Sequence, residues 1–104
     1  MPDRDGPGPS RTDFLRLKPG IPEGVAQRSF PGETVLLNLA TGQYHGLNET
    51  GGAMIEELEK ADSVGEAARR LAERYEMPEP DIEVDLQRFC RELEARGLLT
   101  LAAP

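Results

Sequence analysis

The feature that most constrains this chain is a change of hydrophobic period at Asn48. Before it, apolar residues alternate, as a half-buried strand requires; after it, they recur every three or four residues, as a helix requires. Thr34 to Leu39 (TVLLNL) sets Val35, Leu37 and Leu39 against Leu36 and Asn38, which is strand spacing. Ala40-Thr41-Gly42 suits a three-residue hairpin loop closed by a left-handed glycine, and Gln43 to Leu47 (QYHGL) returns as another strand. That loop predicts Leu39 opposite Gln43, Leu37 opposite His45 and Val35 opposite Leu47. Tyr44 and Gly46 then share the other face with Leu36 and Asn38. A weaker strand, Val25 to Phe30, precedes these two through the Pro31-Gly32 turn signal and Glu33.

Downstream the chain reads as three helices. Asn48 caps the first, which runs to about Lys60 with Met54, Ile55 and Leu58 as its stripe. Gly51 and Gly52 weaken its first turn, so close packing is expected there. Ser63-Val64-Gly65-Glu66 forms a capping box. It opens a second helix through Tyr75 with Ala67, Ala68, Leu71, Ala72 and Tyr75 at helical spacing. After Met77-Pro78-Glu79-Pro80, a third helix runs from about Pro80 or Asp81 to Arg96, its apolar face drawn as Ile82, Leu86, Phe89 and Leu93. Gly97 suits its C-terminal cap, and Leu98, Leu99 and Leu101 fold back as a staple. The fold class expected is α+β: a three-stranded antiparallel sheet followed by three α-helices. The domain is drawn over 25–101. Residues 1–24, with Pro2, Gly6, Pro7, Gly8, Pro9, Ser10, Pro19, Gly20, Pro22 and Gly24, read as a flexible N-terminal arm. Its later part packs loosely or pairs on the sheet.

Chemistry is sparse. His45 and Cys90 are the sole histidine and cysteine, they fall on separate elements, and no third group orients them. No zinc-ligand spacing and no phosphate-binding glycine loop is present. The expectation is therefore no catalytic residue, no metal and no cofactor. Cys90, beside Phe89, reads as a small buried or half-buried filler, and Glu56, Glu57 and Glu59 read as a solvated face. With 19 acidic against 12 basic residues and a net charge of -7, the chain is poorly suited to neutralising phosphates, so no nucleic acid partner is expected. No apolar run is long enough for a bilayer and no signal-peptide core opens the chain. No membrane partner and a cytoplasmic location are expected.

From Val35 to Leu99 the chain resembles the PqqD-like family, the leader-peptide-binding domains also called RiPP recognition elements. The resemblance rests on an ordered set of pieces. A strand ends in Leu39-x-Thr41-Gly42, and an aromatic strand returns as Gln43-Tyr44-His45-Gly46-Leu47-Asn48. A helix opens with Glu49-Thr50-Gly51. Then come Ser63 to Ala68 with Leu71 and Tyr75, and finally Asp85-Leu86, Phe89, Leu93 and Gly97-Leu98-Leu99. Ile55 stands where the family often has Trp, and the N-terminal arm exceeds the family's minimal domain. The resemblance implies a winged helix-turn-helix-like fold. It also implies that the leader segment of a precursor peptide adds as a strand to the third strand, against the third helix. The leader is then presented to a modifying enzyme such as a radical SAM protein, or to a lasso-type protease or cyclase.

The residues themselves permit that mechanism, because an unpaired sheet edge is a template for strand addition. The peptide-binding candidates are Gln43, Tyr44, His45, Gly46 and Leu47 on the third strand and Asp81, Asp85, Arg88, Phe89 and Glu92 on the third helix. The charged strip Asp81, Asp85, Arg88, Glu92 also reads as ordinary solvent-facing charge held by pairs along the helix; the resemblance favours the groove for Asp85 and Arg88. Two alternatives remain: a small winged-helix DNA-binding regulator, using Arg69, Arg70 and Arg74, and a generic protein-interaction adaptor. The DNA reading needs a basic recognition helix, whereas Glu79 to Arg96 holds six acidic residues against three arginines.

Overall fold

The computed structural model describes residues 11–104. The expected strands are β2 (Val25–Phe30), β3 (Glu33–Asn38) and β4 (Tyr44–Leu47), and the expected helices are α2 (Glu49–Lys60), α3 (Val64–Tyr75) and α4 (Glu79–Ala95). The α+β class holds, with the three strands forming one antiparallel sheet in the order β2-β3-β4. Asn48 caps α2 by accepting from the Gly51 amide at 2.8 Å, which satisfies an otherwise orphaned donor. Ser63 does the same for the Glu66 amide at 3.1 Å, while the Glu66 carboxylate turns back to the Asp62 amide at 2.8 Å.

The hairpin register differs by one residue from the sequence expectation. Thr34 faces Leu47, Val35 faces Gly46, Leu36 faces His45 and Leu37 faces Tyr44. The cause is Asn38. Its side-chain oxygen accepts from the amides of Ala40 (3.0 Å) and Thr41 (3.3 Å), an Asx-type turn that takes Leu39 out of the strand. Leu39 to Gly42 then form a four-residue loop closed by Gln43, whose carbonyl accepts from the Asn38 amide at 2.8 Å. Gly42 sits at φ 76°, where a side chain would be strained. A one-residue slip exchanges the two faces of a strand relative to its neighbour. Leu36, His45 and Leu47 therefore share the helix-facing side, and Tyr44 and Gly46 go to the outer side with Val35 and Leu37.

The helices pack on that inner face. The core joins Leu36 and Leu47 to Ile55 and Leu58 of α2, Val64, Ala67, Ala68 and Leu71 of α3, and Ile82, Leu86, Cys90 and Leu93 of α4. On α4 it is Cys90, not Phe89, that points into the centre: Cys90 is fully buried and Phe89 only partly. Spacings of three and four both continue the stripe from Leu86, and the helix is rotated so that the smaller side chain goes inside. Gly52 allows α2 to approach β3, since a Cβ there would stand 2.7 Å from Thr34 Oγ1. Glu57, expected on a solvated face, is buried: its Oε2 accepts from Arg74 at 3.2 Å, and Oε1 has no hydrogen-bond partner among the described residues.

Residues 1–10 lie outside the described residues; residues 11–24, the later part of the expected arm, lie against the body. They form α1 (Arg11–Arg16) and β1 (Lys18–Gly20), and β1 pairs antiparallel with β5 (Thr100–Ala102) in a separate two-stranded sheet. Phe14 is 2% exposed, and the Arg91 guanidinium lies 5.3 Å from its ring centroid. The carbonyl of Leu17 accepts from the Val64 amide at 2.9 Å. Burying one aromatic side chain contributes about 2 kcal/mol, which offsets part of the ordering cost of the segment; the β1–β5 pairing and the Leu17–Val64 hydrogen bond add to it. Leu98 and Leu99 are buried, as the expected staple requires.

Candidate functional site

Among the described residues β4 is the terminal strand of its sheet, and neither β1 nor β5 pairs with it. Its outer side thus offers backbone N–H and C=O groups that form no ladder. α4 crosses beside this edge, and the two elements leave an open cavity of about 360 Å³ between them. His45, Gly46 and Leu47 line it from the strand; Asp85, Arg88, Phe89 and Glu92 line it from the helix. A second cavity, of about 240 Å³, continues along the same edge and takes in Gln43, Tyr44 and His45 with Ala95, Arg96 and Leu98. His45 borders both. Among the ten sequence-derived candidates, Asp81 alone lines neither cavity; it sits in the first turn of α4, where a carboxylate complements the helix dipole.

Each wall has a sequence cause. The Asn38 turn sets the register that directs His45 inward, where its Nε2 lies 4.0 Å from Glu92 Oε2. The rotation of α4 that buries Cys90 leaves the Phe89 ring half-exposed as an apolar side of the cavity. The floor comes from α2, through Asn48, Thr50, Gly51 and Met54. None of these four was among the sequence candidates. Asn48 was visible there as a cap and Met54 as a core residue, and nothing local shows that α2 also reaches under the β4 edge. Gly51 is tight against the strand, since a Cβ would stand 3.2 Å from Leu47 Cβ.

The charges are asymmetric along α4. Glu92 is shared by His45 and by Arg96, whose Nε is 3.7 Å away. Arg91 pairs with Glu94 at 3.4 Å and Glu83 with Arg11 at 2.6 Å. Cys90 lies beneath this surface, and burial pushes its thiol up to about 12; a thiol so held is a poor nucleophile. Among the described residues no group of three or more His, Cys, Asp or Glu could hold a metal ion, and no helix is long and apolar enough to cross a membrane. The arrangement provides an extended backbone edge, an apolar wall and unevenly paired charges. These are the components for holding another chain in extended form.

A family model described as Coenzyme PQQ synthesis protein D (PqqD) matches residues 33–99. No curated protein matches the chain. Two solved structures share its fold. One, described as TbiB1 in complex with the TbiA(beta) leader peptide, is 32% identical with a TM-score of 0.71, covering 77% of this chain and 93% of that one. The other, described as lasso peptide synthetase B1 complexed with the leader peptide, is 23% identical with a TM-score of 0.71, covering 80% of this chain and 98% of that one. At that identity the second likeness concerns the fold.

Proposed function

The chain belongs to the PqqD family, and from that membership we propose that it captures the leader segment of a ribosomally made precursor peptide and presents it to a modifying enzyme or maturation protease. The observation that carries this reading is the free edge of β4 beside the α4 cavity. The leader adds to β4 as a fourth strand. Its backbone pairs with the edge, and every second side chain enters the space bounded by Leu47, Met54 and Phe89. Backbone pairing supplies affinity that tolerates many sequences, and the side chains of α4 supply selection.

The solved structure that is 32% identical was described with a leader peptide bound, which supports transferring that ligand class to this chain. The role is one of binding rather than catalysis, and the enzyme served is of the radical SAM, cyclase or protease kind. The regulator alternative is not favoured. Arg74 is held by Glu56 and Glu57, and Arg70 lies 3.9 Å from Glu66, so of the three arginines only the exposed Arg69 is left to meet phosphates.

The test is a titration of the isotope-labelled chain with the leader of a precursor peptide encoded beside it. Amide shifts should concentrate at Gln43 to Leu47 and along Asp85 to Glu92. Shifts confined to the outer strand β2, or to α3, would overturn strand addition at β4.

A further inference from the structure

We propose that Asp85 and Arg88 read an ordered pair of opposite charges on the captured peptide: a basic residue followed, two positions later, by an acidic one. This inference rests on strand addition at β4 and deepens it by naming what the peptide must carry.

Glu83, Arg91, Glu92 and Glu94 each have an ion-pair partner within the chain. Among the described residues Glu79 and Asp81 lack one, but they occupy the first turn of α4, where the helix dipole accounts for them. Asp85 and Arg88 are different. Both are exposed and line the cavity, and among the described residues neither makes an ion pair or side-chain hydrogen bond, not even with the other. Two opposite charges are thus held unpaired on the wall of a slot beside a free strand edge.

Their spacing suits an extended ligand. Residues three apart on a helix have Cβ atoms about 5–6 Å apart. Residues two apart on a strand project to the same side about 6.6 Å apart. Side chains of ordinary length absorb the difference, so successive inward-facing residues of the peptide meet Asp85 and Arg88. The residue between them points to the outer face and is not read by α4.

The order follows from topology. The larger cavity joins Asp85 to Glu92 with His45 to Leu47, and the next joins Ala95 and Arg96 with Gln43 and Tyr44. α4 therefore runs opposite to β4. Every strand pair in the sheet is antiparallel, and an added strand that keeps this pattern runs with α4. It meets Asp85 first and Arg88 second.

The test is a library of random short peptides displayed and selected against the full chain and against the Asp85→Arg/Arg88→Asp double variant, after both are shown to melt alike. Wild type should enrich Lys or Arg, any residue, then Asp or Glu; the double variant should enrich the reverse order. Synthetic versions of a selected peptide, with its charges in order or exchanged, should differ by about threefold per charge at low salt, and less as salt screens them. The same enrichment in both proteins, or acid-before-base enrichment by the wild type, would overturn the inference while leaving strand addition standing. Selected peptides that leave the Gln43 to Leu47 amides unshifted would overturn strand addition itself. A library with no enrichment counts against both.

Discussion

Gly52 occupies an interior position of α2, and helix propensity alone predicts that Gly52→Ala stabilises the chain by roughly 1 kcal/mol. The packing predicts the opposite. The new methyl carbon would stand 2.7 Å from Thr34 Oγ1 and 3.3 Å from Thr34 Cβ, well inside the ~3.5–4.0 Å at which carbon contacts are favourable. Thr34 has little room to yield: it is buried on β3, its Oγ1 is 3.5 Å from Ser29 Oγ, and a β-branched side chain is stiff about χ1. Overpacking of this kind costs about 1–3 kcal/mol, so the net loss is about 1 kcal/mol, or roughly 4–8 °C in a domain of this size. Urea unfolding followed by circular dichroism should give a lower midpoint at unchanged slope. Thr34→Ala removes the nearer of the two atoms, so the double variant should be more stable than the sum of the singles by about 1 kcal/mol. A raised midpoint for Gly52→Ala, or strict additivity of the pair, would show that α2 does not rest on β3 as described.

Phe89→Ala should cost only about 1–2 kcal/mol in a thermal melt, because the ring is half-buried, yet weaken leader binding about tenfold by calorimetry; a much larger stability loss would place Phe89 in the core. Phe14→Ala should cost about 3 kcal/mol or more, and a melt unchanged by it would return residues 11–17 to the status of a loose arm. Cys90 should react with a thiol reagent only as fast as the chain opens. Its thiol titrates higher in the folded chain than its ordinary value of 9, so the unfolded chain releases the proton first. Stability should therefore be independent of this group below about pH 8.5 and fall as the pH rises toward 12; Cys90→Ala should remove that part of the alkaline loss.

The sheet, the three main helices and their caps were legible because each carries a local signal: alternation in TVLLNL, Asn48 and Ser63 ahead of apolar stripes, and Gly97 at φ 73° after α4. The β3–β4 register departs from the one a three-residue, glycine-closed loop implies because the Asn38 side chain fixes where the strand ends. An asparagine two and three residues before the amides it bonds is a readable signal, and it outweighs the apolar character of Leu39. Phe89 and Cys90 could not be separated by periodicity, since both continue the stripe from Leu86; only the space left by α2 and α3 decides which enters. Least legible was the pairing of Lys18–Gly20 with Thr100–Ala102. Two three-residue strands about 80 positions apart, one containing Pro19, leave no local trace. The cavity floor under β4 is likewise a product of where α2 comes to rest.

The brevity of β4 has a further consequence. Four residues present outward-directed groups only at alternate positions, so a guest strand can form about four backbone bonds there, each worth roughly 1 kcal/mol net. That is too little to bind a flexible chain against its lost freedom, and also too little to glue two copies of the protein edge to edge. The same economy that keeps an unoccupied copy from self-association makes adhesion conditional on a sequence able to grip the neighbouring helix.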